Sequence, residues 1–208
     1  MHVETVVVGA FDVNCHILWG DDLQALVVDP GADPGRVARV LKKNKLSVER
    51  YLLTHGHCDH VSAAAALSEV YPAPVAIHPA DAKWAFSADN SLPPYYGTPR
   101  SPSQVELLKA LGESSAGPFR VMPTPGHTPG SVCFYFPSHG LLFSGDTLFA
   151  GSVGRTDLPG GNSRALAASL KTLAALPDET RVLSGHGPES TIAHEKATNY
   201  FLGNRSDS

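Results

Sequence analysis

Several things are scarce in this chain. Cysteine is one: Cys15, Cys58 and Cys133 are the only three in 208 residues, and they lie far apart. An odd, scattered set does not make a disulfide framework, and it fits a reducing, cytoplasmic compartment. Long apolar runs are missing too. None approaches the roughly 20 residues that a membrane span needs, and Met1-His2-Val3-Glu4 lacks the basic start and apolar stretch of a signal peptide. There is no basic block. Sixteen Lys and Arg stand against 20 Asp and Glu, a net charge of −4, which argues against nucleic acid or an anionic membrane surface as partner. Low-complexity segments and linkers are also lacking, so residues 1–208 read as a single domain with a sizeable core. No pattern in the sequence signals an oligomeric state. Histidine, by contrast, is plentiful: there are ten, and at least five fall where metal ligands fall.

Strands and helices alternate along the chain. Strands are expected over 3–8, 15–19, 23–29, 50–53, 75–77, 119–122, 132–136, 141–144 and 181–183, from short apolar runs bounded by turn residues. Helices are expected over 34–43, with Asp33 as N-cap and Pro34 at the first helical position, and over 61–71, stopped by Pro72. Further helices are expected over 79–86, 102–111, 163–176 and 189–202, the fifth carrying Leu166, Leu170 and Leu173 on one face. The pattern is that of an α/β domain.

The run Thr54-His55-Gly56-His57-Cys58-Asp59-His60 places three imidazoles and a carboxylate within six residues, between an apolar strand and an alanine-rich helix. These are side chains that bind divalent transition metals. In an extended segment His55 and His57 project to one side. Asp59 and His60 sit where a helix begins and approach the same volume from another direction. Two ligand sets from one loop imply two metals. More ligand-type residues stand at the ends of expected strands: His127 in Pro125-Gly126-His127-Thr128-Pro129-Gly130, Asp146 in Ser144-Gly145-Asp146, and His186 in Gly185-His186-Gly187. Each has glycine beside it, as a crowded site with close backbone requires.

This set, in this order, resembles the metallo-β-lactamase superfamily, and the resemblance runs from Val27-Val28-Asp29-Pro30-Gly31 to the C-terminal helix. It implies an αββα sandwich with the metals at one edge of the paired sheets. It implies that His55, His57 and His127 hold one metal, that Asp59, His60 and His186 hold a second, and that Asp146 bridges them. The segment 149–158, Phe-Ala-Gly-Ser-Val-Gly-Arg-Thr-Asp-Leu, and the stretch from Gly185 to Lys196 look like the glyoxalase-II-like branch. Only 22 residues follow His186, so the chain is similar to the short members, without the helical region that holds glutathione in glyoxalase II proper. The antibiotic-cleaving members carry cysteine or histidine where Asp146 and Asp59 stand, so β-lactam cleavage is not the expected activity.

The activity so implied is metal-dependent hydrolysis of a small acyl thioester by a hydroxide shared between two divalent ions. Zinc is the first choice, and iron and manganese suit the same ligands. Asp59 would be catalytic, binding metal through one oxygen and orienting the hydroxide with the other. A second activity resembles the same branch: persulfide dioxygenase, with a single iron on His55, His127 and Asp146. Lactone or other ester hydrolysis is a third. Asp29 either hydrogen-bonds a ligand histidine or caps its own turn. Cys58 is expected to point away from the metals, and Arg155 to pair with Asp157 or to meet substrate. Tyr95 and Tyr96, with Trp84 and Phe86, either roof the substrate cleft or pack on one another.

Overall fold

The computed structural model describes residues 1–109, 111–112, 114 and 117–202. Among them, two six-stranded sheets lie face to face. The first runs in chain order: β1 (His2–Val8), β2 (Val13–Trp19), β3 (Gln24–Val28), β4 (Ser47–Leu52), β5 (Val75–Ile77) and β6 (Val105–Leu107). The second is built from β7 (Leu111–Gly112), β8 (Phe119–Pro123), β9 (Val132–Phe136) and β10 (Leu141–Gly145), and from two later strands. A small hairpin of β11 (Leu148–Phe149) and β12 (Ser152–Val153) precedes those two, β13 (Arg181–Ser184) and β14 (Ser190–Thr191). The spatial order of the second sheet is β14-β13-β10-β9-β8-β7.

Side-chain alternation assigns three apolar layers. Between the sheets lie Leu18, Leu26, Val28 and Leu52 from the first, and Phe119, Phe134, Phe136, Phe143 and Leu183 from the second. The outer face of the first sheet packs through Ile17, Val27 and Tyr51 on helices α1 (Pro34–Lys43), α2 (Cys58–Val61) and α3 (Ala64–Val70). The one-turn helix α4 (Pro79–Ala82) follows β5. The outer face of the second sheet packs through Cys133, Tyr135, Leu142 and Val182 on α5 (Ser163–Ala174) and α6 (Ile192–Thr198). Strand β9 reads Val-Cys-Phe-Tyr-Phe without a polar residue because both its faces are buried. The αββα sandwich is therefore present. No helix among the described residues is long and apolar enough to cross a membrane.

Four expectations about elements need correction. The helix expected over 102–111 is absent: residues 105–107 pair in parallel with β5 and 111–112 pair with β8, and position 110 lies outside the described residues. Sheet-edge pairing overrides helix propensity there. The helix expected over 61–71 is two helices, broken where the Ala63 amide donates to the Pro30 carbonyl at 3.0 Å. The one over 79–86 is a single turn. The last helix starts at Ile192, after β14, with Thr191 Oγ1 accepting from the His194 amide, and it ends at Thr198. Asp33 occupies the N-cap position of α1, but its carboxylate accepts from the Gly9 amide at 2.9 Å and does not cap the helix.

Candidate metal centre

The ligand-type residues gather at one edge of the sandwich, on the segments that follow strands β4, β8, β10 and β13. Strand β4 leads into Thr54 and His55, and α2 carries Asp59 and His60 on its single turn. His127 lies in the turn before β9, Asp146 follows β10, and His186 follows β13. Residue 185 must be glycine, since a Cβ there would overlap Asp146 Oδ1 and His60 Cε1.

The structure gathers them into two trios. His55, His57 and His127 form one; Asp59, His60 and His186 form the other; within each, the ligand atoms lie within 4.8 Å of one another. His57 Nδ1 is 2.9 Å from His127 Nε2, and His60 Nε2 is 3.3 Å from His186 Nε2. Asp59 Oδ2 stands 3.7 Å from both His60 Nε2 and His186 Nε2. Asp146 lies between the trios, with Oδ2 3.6 Å from His127 Nε2 and 3.5 Å from His186 Nε2, and Oδ1 3.4 Å from His60 Nε2.

The tautomers are set from outside the cluster. His60 Nδ1 donates to Asp29 Oδ2 at 3.0 Å, His127 Nδ1 to the Arg155 carbonyl at 2.8 Å, and His186 Nδ1 to the Phe11 carbonyl at 2.9 Å. His55 Nδ1 donates to Thr54 Oγ1 at 3.0 Å, because that hydroxyl gives its own proton to Asp29 Oδ2 at 2.6 Å. Four rings thus turn their Nε2 lone pairs into one volume, as ligating histidines do. His55 Nε2 and Asp146 Oδ1 are buried and lack a hydrogen-bond partner. Buried polar atoms normally have one. Two unpartnered acceptors between converging imidazoles fit divalent ions, whose bonds to nitrogen and oxygen run to about 2.0–2.2 Å.

Electrostatics separate the two trios. Burial, then the neighbouring imidazoles, push His57 down to about 3 and His55 well below its ordinary value. Burial also works against protonation of His60, but the carboxylates of Asp146, Asp59 and Asp29 outweigh it and lift this residue to about 10. Burial opposes ionisation of Asp146, yet His60, His186 and His127 hold its carboxyl well below the usual range. The first trio is an all-nitrogen nest in which His55 and His57 resist protonation; the second joins two imidazoles to a carboxylate.

Asp29 hydrogen-bonds His60 and the Thr54 amide, the latter at 2.8 Å, so it acts on the ligand loop; it holds φ at 50°, a left-handed conformation that aspartate tolerates. Cys58 belongs to neither trio. Arg155 pairs with Asp157 through two contacts of 2.7 Å. Tyr96 is buried, and its hydroxyl accepts from the Ala10 amide at 3.2 Å, whereas Tyr95 is exposed and lies 5.3 Å from the Phe11 ring. Trp84 reaches the cluster, 5.5 Å from the His57 ring, while Phe86 packs on the core.

Three residues that sequence reasoning passed over grip the ligand loops. Asn14 Nδ2 donates to the carbonyls of Ser184 and Gly187 on either side of His186. Asn90 Nδ2 donates to the Gly56 carbonyl at 2.7 Å. Asp81 is wholly buried and binds two loops at once. Each looks like an ordinary polar residue in its own segment; only the tertiary pairing reveals it.

Facing sheets, with converging imidazoles and carboxylates at one edge, define a metallo-hydrolase. The chain belongs to the metallo-β-lactamase superfamily, whose family model matches residues 8–186. Hydroxyacylglutathione hydrolase GloC of Haemophilus influenzae is 33% identical over 216 residues, spanning 99% of this chain and 100% of its own. The solved structure of the B3 metallo-β-lactamase BLEG-1 shares 36% identity with a TM-score of 0.89, covering 97% of this chain and 99% of that one. TTHA1623, solved in a di-iron-bound form, shares 39% identity with a TM-score of 0.88, covering 96% and 100%.

Proposed function

We propose that this chain is a single-domain thioester hydrolase of the glyoxalase-II-like kind. It acts on a small acyl thioester with two divalent ions held by His55, His57 and His127, and by Asp59, His60 and His186, with Asp146 between them. Zinc is the first candidate; the di-iron form of TTHA1623 keeps iron beside it, and manganese suits the same ligands. The observation that carries this reading is the set of Nε2 atoms of His60, His127 and His186 converging on the Asp146 carboxylate, whose Oδ1 lacks a hydrogen-bond partner. The likeness to GloC supports the thioester. The free thiols of Cys15, Cys58 and Cys133 support a cytoplasmic setting.

Two bound ions supply a water that ionises near neutral pH and a Lewis acid for a carbonyl oxygen. The chain's own groups do the rest. Asp59, with one oxygen toward His60 and His186, turns the other toward the attacking water and holds its proton. Asp146 keeps the trios in register. A thiolate leaves without protonation, so no separate general acid is needed.

Hydrolysis of S-lactoylglutathione by purified protein, with a chelated sample beside it, tests the reading. Fast, chelator-sensitive turnover is expected. Turnover of a β-lactam in place of the thioester would shift the assignment toward the activity of BLEG-1. Oxygen uptake with glutathione persulfide would shift it toward a dioxygenase.

A further inference from the structure

Asp81 is a wholly buried carboxylate outside the seven ligand-type residues. Its Oδ2 accepts from the Gly56 amide at 2.8 Å and from Thr128 Oγ1 at 2.6 Å, and its Oδ1 accepts from the Gly130 amide at 2.8 Å. These donors come from two separate loops. Gly56 sits between His55 and His57. Thr128 and Gly130 follow His127. A Cβ at Gly130 would press on the Asp81 carboxylate, so this loop is glycine where it meets the acid. The segment around Asp81 adds two further holds: Trp84 stands 5.5 Å from the His57 ring, and Asn90 Nδ2 donates to the Gly56 carbonyl at 2.7 Å.

The chemistry of the acceptor matters. Both oxygens of a carboxylate accept, and here both are used. An amide at the same place would turn an NH2 group toward the Gly130 amide, or toward the Gly56 amide and the Thr128 hydroxyl. In either orientation donor would meet donor at a backbone amide, in a wholly buried site. Shape alone therefore does not satisfy the site; a group that accepts through both oxygens does. Asp29 plays a related part for His60 and Thr54, but it touches a ligand ring directly. Asp81 acts only through backbone and hydroxyl, at the junction of the two loops that make the all-histidine trio.

We propose that Asp81 is a positioning residue for the His55–His57–His127 trio: it sets the separation of the two loops, and its loss weakens the ion of that trio while sparing the ion of Asp59, His60 and His186. The inference rests on the metal reading given under the proposed function.

The test is a metal titration of the metal-free protein with Zn2+ against a chromophoric competitor. Wild type, Asp81→Asn and Thr128→Val are compared with His127→Ala and His186→Ala as references for the two halves. Wild type is expected to take up two ions. Asp81→Asn is expected to resemble His127→Ala, with one ion weakened by roughly 10–100-fold, the usual effect of losing a residue that orients ligands, and the other unchanged. Thr128→Val removes one of three donors and is expected to weaken the same ion by less; it carries the test if Asp81→Asn does not fold. Two ions at wild-type affinity in both variants would overturn the proposal alone. So would equal weakening of both ions, since that is what a general scaffold role gives. Wild-type protein that takes up no ion would overturn the metal reading, and this proposal with it.

Discussion

At the scale of the residue, Asp59 is the side chain whose chemistry can be isolated. It lies on the single turn of α2, 3.7 Å from two imidazole nitrogens. Asp59→Ala is expected to abolish thioester hydrolysis and to reduce metal content; a near-wild-type rate would remove it from the mechanism. His16 offers a different handle. It is buried between Thr5 Oγ1 and the Ser184 carbonyl, and burial drives it down to about 4. The unfolded chain takes up a proton near 6.5 that the folded chain refuses until about pH 4. The contribution of His16 to stability is therefore whole above pH 6.5 and falls as pH drops through that window. The loss is about 3 kcal/mol, at about 1.4 kcal/mol for each unit of difference. Denaturant unfolding of the metal-free protein across pH 4–7 checks it, and His16→Gln, which keeps a donor and an acceptor without titrating, should remove its share of the fall and leave that of His55 and His57. The seven ligand-type residues were legible because the chemistry itself is local: imidazoles and carboxylates crowd into one short run and stand beside glycines at strand ends. Asp81, Asn14 and Asn90 were not, because what makes them matter is a partner 25 to 173 residues away.

At the scale of the element, the hairpin of β11 and β12 shows how the C-terminal helix reaches the cluster. Glu195, on α6, is wholly buried; its Oε2 accepts from the Gly151 amide at 2.8 Å and from Asn199 Nδ2 at 2.7 Å, and Ser190 Oγ donates to its other oxygen. Asn199 Nδ2 also donates to the Ser152 carbonyl at 3.0 Å. The hairpin held in this way runs on to Arg155, whose carbonyl orients His127. Asn199→Ala is expected to cost about 1–3 kcal/mol by stranding buried partners, measured by urea unfolding, and to lower turnover with it. If stability falls while metal affinity and turnover stay at wild-type values, the link from hairpin to His127 is absent. Strands of two residues carry no period for sequence to read, and this is why β7, β11, β12 and β14 went unseen. The helix expected over 102–111 failed for the complementary reason: its residues complete a sheet edge, and pairing outweighs propensity.

At the scale of the whole molecule, three apolar layers hold the sandwich, and the middle one is aromatic. Phe119 stacks on Phe136 at 5.1 Å, and Phe136 meets Phe143 edge-on at 5.8 Å. Phe134→Ala, in the same layer, is expected to cost about 3–5 kcal/mol, read from denaturant midpoints. Ions bound only by the folded state add stability by mass action, about 4 kcal/mol for one site at a thousandfold excess over its Kd. Chelation is then expected to lower Tm by roughly 8–16 °C in a chain of this length; an unchanged Tm would show that the cluster binds nothing. The layers were legible because strands and helices alternate in both halves. Which strand neighbours which was not, except where the chain order itself supplies it. That chain order has a consequence in time. The first sheet is complete at Leu107, whereas the last imidazole waits for residue 186 and the second sheet for Thr191. At translation rates of about 5–20 residues per second, the nascent chain exposes the inner face of its first sheet for roughly 4–17 s before the covering sheet is complete. Leu18, Leu26, Val28 and Leu52 have no complete partner layer in that interval, so the growing polypeptide carries an apolar face open to aggregation until its last strand emerges.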